Sequence, residues 1–153
     1  MSTTVAIILG SKNDQDHVTP TTELLDGFGI EWEMKFISAH RQPDKLHAYV
    51  REAEQGGVRV FIAVAGLSAA LPGVIGSISL LPVIGVPVPA GELKGIDALL
   101  SMAQMPGGIP VATVGVGSNG AKNAAVLAAE ILALSDDSVA GKLGKYRDKM
   151  KNA

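Results

Sequence analysis

Four consecutive residues, Ser38-Ala39-His40-Arg41, set a hydroxyl, an imidazole and a guanidinium side by side. Such a set can hold an anion and move a proton beside it. Imidazole titrates near neutral pH, so it can serve as acid or base there. The segment follows Glu31-Trp32-Glu33-Met34-Lys35-Phe36-Ile37, which reads as a strand, and precedes Gln42-Pro43-Asp44, which reads as a helix start. It therefore belongs in a loop at the carboxyl end of a strand, where open α/β sheets bind ligands. His17 and His47, the other two histidines, lie on helical segments and read as surface or packing residues.

Further loops carry chemistry of their own. Gly10-Ser11-Lys12-Asn13-Asp14 closes an apolar run. Its glycine lets the backbone turn closely, Ser11 and the N–H groups ahead can hold phosphate, and Asp14 can accept from ribose hydroxyls. An ordinary helix cap explains the same residues. Ala65-Gly66-Leu67-Ser68-Ala69-Ala70-Leu71-Pro72-Gly73 follows another apolar run. Its small residues either let a flat ring lie on the backbone, with amides for anionic oxygens, or serve close helix–sheet packing. Gly115-Val116-Gly117-Ser118-Asn119-Gly120 matches G-x-G-x-x-G. That dinucleotide fingerprint belongs on a first strand, with an acid about twenty residues on. Here no further strand follows, and Asp136 and Asp137 lie beside a terminal helix. A turn needing positive φ is the better reading. No pairing of histidine with carboxylates has metal-ligand spacing.

The elements that must position these loops alternate, as in βαβ units. Strands are expected at Val5–Leu9, Trp32–Ile37, Val58–Ala65, within Pro82–Val88 and at Val111–Val116, the third being β-branched and central. Pro43 suits the first position of a helix whose face is Leu46, Tyr49, Val50 and Ala53. Pro20 would break a helix begun at Asp14, so a kink there or a start near Thr19 is expected. Asn123–Leu134 reads as a helix with Ala124, Leu127, Ala128 and Ile131 on one stripe. A last helix, about Asp137 to Met150, carries Val139, Leu143, Tyr146 and Met150 along one side and lysines along the other. That stripe can pack on its own sheet or on a neighbouring subunit; because the five-strand unit is already complete, the neighbour is expected.

Composition narrows the class. With 153 residues the chain reads as a single α/β domain, 1–153. A net charge of -2 gives no broad basic surface, which argues against a nucleic-acid partner. The absence of cysteine removes disulfides, thiol nucleophiles and cysteine-bound metals. Met1-Ser2-Thr3-Thr4 lacks a basic region and is not expected to be a signal peptide, so a cytoplasmic location follows. No charge occurs between Arg59 and Glu92, but repeated Gly and Pro break the run. A buried strand, a glycine-rich loop, a short helix and a second buried strand explain it better than a membrane span.

Taken in order, these segments resemble the N5-carboxyaminoimidazole ribonucleotide mutases and related aminoimidazole ribonucleotide carboxylases of purine biosynthesis. The resemblance rests on Gly10 to Asp14, Ser38 to Arg41 and Ala65 to Gly73. It extends through Leu99-Leu100-Ser101-Met102-Ala103-Gln104-Met105-Pro106-Gly107-Gly108-Ile109-Pro110-Val111-Ala112-Thr113 and Lys122-Asn123-Ala124-Ala125. It implies a three-layer, flavodoxin/Rossmann-like fold with a parallel five-stranded sheet and helices on both faces, assembled as a homo-octamer. It implies a ribonucleotide substrate and CO2, with no metal or organic cofactor. His40 would be the general acid/base, and Ser11, Asp14, Ser38 and Arg41 would anchor ribose and phosphate, with Gly10, Asn13 and Ala39 beside them. Gly66, Leu67, Ser68, Ala69, Ala70 and Leu71 would hold the ring and CO2.

The chain departs from the mutase pattern at Asn13, usually serine, and at Ala70, usually histidine. Ser68 and Ala70 look like the carboxylase branch, though Ala69 replaces its asparagine. Arg41 and Gln104-Met105-Pro106 look like the mutase branch. The expected activity is the mutase. A CO2-dependent carboxylase making the same product, or a mononucleotide-binding module without catalysis, are the alternatives.

Overall fold

The computed structural model describes residues 4–153; the reading of Met1, Ser2 and Thr3 lies outside the described residues. Strands β1 (Val5–Leu9), β2 (Trp32–Phe36), β3 (Val60–Ala65), β4 (Val83–Pro87) and β5 (Ala112–Thr113) form one sheet in the order β2-β1-β3-β4-β5. Every neighbouring pair is parallel. β1, β3 and β4 are buried along their whole lengths, which explains why they read as unbroken apolar runs rather than alternating ones.

Alternate residues serve opposite layers. Val5, Ile7, Leu9, Val60, Ile62 and Val64 face helices α1 (Thr19–Gly27) and α5 (Ser118–Ala133). Ala6, Ile8, Phe61 and Ala63 face α2 (Pro43–Gln55), α3 (Leu71–Ile78) and α4 (Ile96–Ala103). The three-layer expectation therefore holds, with β3 central. The charge-free stretch resolves into β3, a loop, α3 and β4, and among the described residues no helix is long and apolar enough to cross a membrane.

Local chemistry sets the boundaries. A 3-10 segment, Lys12–Val18, precedes α1, and Pro20 falls in the first turn of α1, where a missing N–H breaks no helical bond. The Tyr49 hydroxyl on α2 donates to Glu33 Oε1 on the edge strand β2 at 2.6 Å. Burial and that carboxylate push the Tyr49 hydroxyl above the usual phenol range.

Beyond shifts of one or two residues at element ends, such as β3 starting at Val60 rather than Val58 and β2 ending at Phe36 rather than Ile37, three elements differ from expectation. β5 is confined to Ala112–Thr113, shorter than Val111–Val116, because the chain turns away after Val114 donates to the Gly85 carbonyl. α5 begins at Ser118, five residues before Asn123. Gly117 adopts φ 95, the turn expected of the glycine motif, and a Cβ at Gly120 would lie 1.6 Å from the Gly115 carbonyl oxygen. Glycine here lets the helix begin against the strand end, so packing overrides the poor helix propensity of Ser118-Asn119-Gly120.

The third difference is where the last helix packs. Helix α6 (Asp137–Lys151) seats its stripe on its own subunit: Val139 is buried, and Leu143 and Tyr146 pack on the same cluster as α1 and α5. The ring of Tyr146 meets Phe28 edge-on at 5.4 Å, and Arg147 pairs with Glu130 at 2.8 Å. The physical reason is that α1 and α5 leave an apolar outer groove that this stripe fills, while Met150 stays 61% exposed. Lys142, Lys145 and Lys149 gather near Gly27 at the carboxyl end of α1, where its dipole favours positive charge.

Candidate functional site

The sheet order creates the site. The chain leaves β1 for β2 on one side, then crosses to β3 on the other side of β1. Loops after β1 and β3 therefore diverge and open a crevice at the carboxyl ends of the strands. A cavity of about 440 Å³ occupies that crevice.

Its walls come from three successive βα loops. Gly10, Ser11, Asn13 and Asp14 follow β1; Ser38, Ala39, His40 and Arg41 follow β2; Gly66 to Leu71 follow β3. Every residue singled out for the site in the sequence thus lines one cavity. The structure adds Ala65 and Ala90. Ala90 escaped notice because alanine carries no chemical signal; its position just past β4 was the available clue. Neither His17, His47 nor the Gly115–Gly120 motif lines the cavity.

The His40 loop is held by hydrogen bonds among its own residues. Ser38 Oγ accepts from the Arg41 N–H at 3.2 Å, and the Ser38 carbonyl accepts from the Gln42 N–H at 2.9 Å. The Gln42 side chain turns back to accept from the Ser38 N–H at 3.3 Å. Gln42 is thus a positioning residue that the sequence showed only as a helix start. The turn leaves the His40 and Arg41 side chains exposed, and no carboxylate among the described residues forms an ion pair with either. Both are free to meet an anionic ligand.

The β1 loop is a cap and a cavity wall at once. Ser11 Oγ accepts from the Asn13 N–H at 3.2 Å as the cap of the 3-10 segment, and still lines the cavity. Asp14 is 8% exposed. Burial pushes its carboxyl above the usual value, partly offset by His17 and by a Ser11 backbone hydrogen bond. An aspartate with a raised native pKa stabilises the fold below its unfolded pKa, and that contribution is lost as pH rises through the native value. Asp14→Asn is therefore expected to raise Tm at pH 7 and to leave it unchanged near pH 3. Thermal melts at the two pH values check this, and an equal shift at both would exclude the titration as the cause.

In the β3 loop the Ala69 and Ala70 N–H groups fold back onto the Leu67 and Ser68 carbonyls at 2.9 and 2.8 Å. That narrows the expectation of amides for anionic oxygens to Gly66, Leu67 and Ser68, whose N–H groups make no backbone bond among the described residues. Leu67 itself has φ 56, a conformation that side chains other than glycine's rarely adopt. Ala70 and Leu71 bring the amino end of α3 to the cavity, whose dipole favours negative charge.

A glycine-lined crevice, one exposed imidazole and one exposed guanidinium suit a small phosphorylated ligand and proton transfer. The family model described as AIR carboxylase matches residues 4–153. The chain belongs to the AIR carboxylase family. Relatives within it are close. The N5-carboxyaminoimidazole ribonucleotide mutase of Saccharolobus solfataricus is 49% identical over 148 residues, 97% of this chain and 92% of that protein. That of Pyrococcus abyssi is 51% identical over 147 residues, 96% of this chain and 83% of that protein. In three dimensions the crystal structure of Treponema denticola PurE is similar, with TM-score 0.87 at 31% identity over 97% of this chain and 91% of that one. Asn13 and Ala70, the two positions read from the sequence as departing from the mutase pattern, both line the cavity.

Proposed function

We propose that this chain is an N5-carboxyaminoimidazole ribonucleotide mutase, converting its substrate to 4-carboxyaminoimidazole ribonucleotide in purine biosynthesis, in the cytoplasm. The observation that carries this reading is the convergence of His40, Arg41, Ser11, Asp14 and the Gly66–Leu71 loop on one cavity. Its volume, about 440 Å³, falls within the ~300–1,000 Å³ typical of small-molecule sites. Mutases near 50% identity support it.

In this mechanism Arg41 grips the phosphate by charge-assisted contacts, with Ser11 and Ser38 beside it, and Asp14 accepts from ribose hydroxyls. The N5–carboxyl bond breaks and its electron pair stays on nitrogen, which takes a proton from His40. CO2 remains between the ring and the Gly66–Leu71 backbone. Carbon 4 of the ring attacks it, forming the new carbon–carbon bond. His40, now neutral, removes the proton from carbon 4 and restores aromaticity, so the proton count closes over one turnover. Confinement replaces a bimolecular encounter with CO2 by a local one.

A second reading is favoured by one observation: Ala70 and Ser68, which resemble the carboxylase branch, both face the cavity. That enzyme would draw CO2 from solution. Rates of product formation from aminoimidazole ribonucleotide plus bicarbonate, and from the N5-carboxylated ribonucleotide made in place, separate the two. The mutase requires the second to be much faster. Equal rates favour the carboxylase, and no product with either leaves a binding module.

We also propose the homo-octamer. Leu93, Ile96 and Leu100 support it, being 60%, 60% and 53% exposed on and just before α4, more apolar surface than a monomer needs there. Light scattering should give eight chains; a monomer contradicts the assembly.

A further inference from the structure

Leu67 is the one residue of the cavity wall that combines strained backbone with a large exposed apolar side chain. Its φ is 56, and 55% of its surface is open to solvent. Core packing therefore does not explain it. Glycine would adopt the same backbone without strain, and strained residues of this kind gather where a site requires them. Leu67 is nonetheless held. The loop after β4 runs alongside: Ala90 lines the cavity, and a Cβ at Gly66 would approach Ala90 Cβ to 3.1 Å. One residue further, a Cβ at Gly91 would fall 2.7 Å from Leu67 Cδ2. The missing side chain of Gly91 is the seat in which the Leu67 side chain rests.

We infer that Leu67 is the residue that closes the cavity mouth against loss of CO2, and that Gly91 positions it. The inference rests on the mutase reading for the identity of the escaping molecule. CO2 is small and apolar, and a wall of small residues would let it pass. A leucine at the rim narrows the opening and keeps water from the reacting carbon. The seat lies on a different βα unit from the leucine, so the two loops together set the size of the mouth.

The test uses Leu67→Gly, Leu67→Ala, Gly91→Ala and the double variant Leu67→Ala/Gly91→Ala. Unlabelled N5-carboxylated ribonucleotide is supplied in 13C-bicarbonate, and the labelled fraction of product is read with kcat and KM. Leu67→Gly should raise the labelled fraction about fivefold or more over wild type, while its Tm stays level or rises. Loss of stability without added label would mean that Leu67 is a structural residue and would overturn the inference. Gly91→Ala carries backbone strain at φ +72 as well as the clash. If it acts through Leu67, its rise in KM shrinks about fivefold or more in the Leu67→Ala background. Strictly additive effects in the double variant would dismiss Gly91 as the seat. Should wild type itself take all its carboxylate from solution, the mutase reading fails, and the KM coupling alone still decides the Leu67–Gly91 pairing.

Discussion

Replacing His40 with asparagine is expected to lower turnover by about 10²–10⁴-fold while ribonucleotide binding survives. The Ser38–Gln42 turn is fixed by its own hydrogen bonds, none of which uses the imidazole. The side chain is exposed, so asparagine should change stability by less than about 0.5 kcal/mol. Asparagine keeps a polar group of similar reach but cannot carry a proton at neutral pH. What disappears is the transfer at the departing nitrogen and at carbon 4. Steady-state kinetics with product titrated calorimetrically measure both quantities. Unchanged turnover would remove His40 from the reaction, and equal losses of turnover and affinity would make it a binding group.

Arg41→Ala should act on the other quantity. A hydrogen bond to a charged group contributes about 1.5–3 kcal/mol, so affinity for the phosphorylated ligand should fall about 10- to 150-fold. Among the described residues Arg41 forms no ion pair, and its backbone N–H is anchored to Ser38 Oγ at 3.2 Å, so the loop should hold its shape. Arg41→Lys keeps the charge but loses the planar fork, and an intermediate affinity is expected. The wild-type advantage should shrink as salt screens the exposed charge. Equal affinity of wild type and Arg41→Ala at low salt would refute the phosphate assignment.

The cavity was largely legible in the sequence because each wall is a short loop whose residues carry their own chemistry. Apolar, β-branched runs locate β1, β3 and β4, with Gly10 and Gly66 where β1 and β3 end, and Ser38 comes just past β2. What could not be read depends on contacts between distant segments. α5 starts at Ser118 because Gly120 fits against Gly115, which no helix propensity announces. The stripe of α6 looked unpartnered because the groove that receives it is completed by Leu24 and Phe28, more than a hundred residues away, beside the adjacent α5. Asp14 is a polar loop residue in the sequence and a buried one in the fold. Ala90 and the Leu67–Gly91 contact join two βα units, so they emerge only with the strand order.

The mutase and the carboxylase differ in where the new carboxylate comes from, and an isotope answers that directly. Purified enzyme would receive unlabelled N5-carboxylated ribonucleotide in an excess of 13C-bicarbonate, with the product analysed by mass at early times. Internal transfer predicts product that is almost wholly unlabelled, formed at a rate that added bicarbonate does not change. Product carrying the label, and made equally fast when aminoimidazole ribonucleotide replaces the N5 compound, would contradict it and establish a CO2-dependent carboxylase.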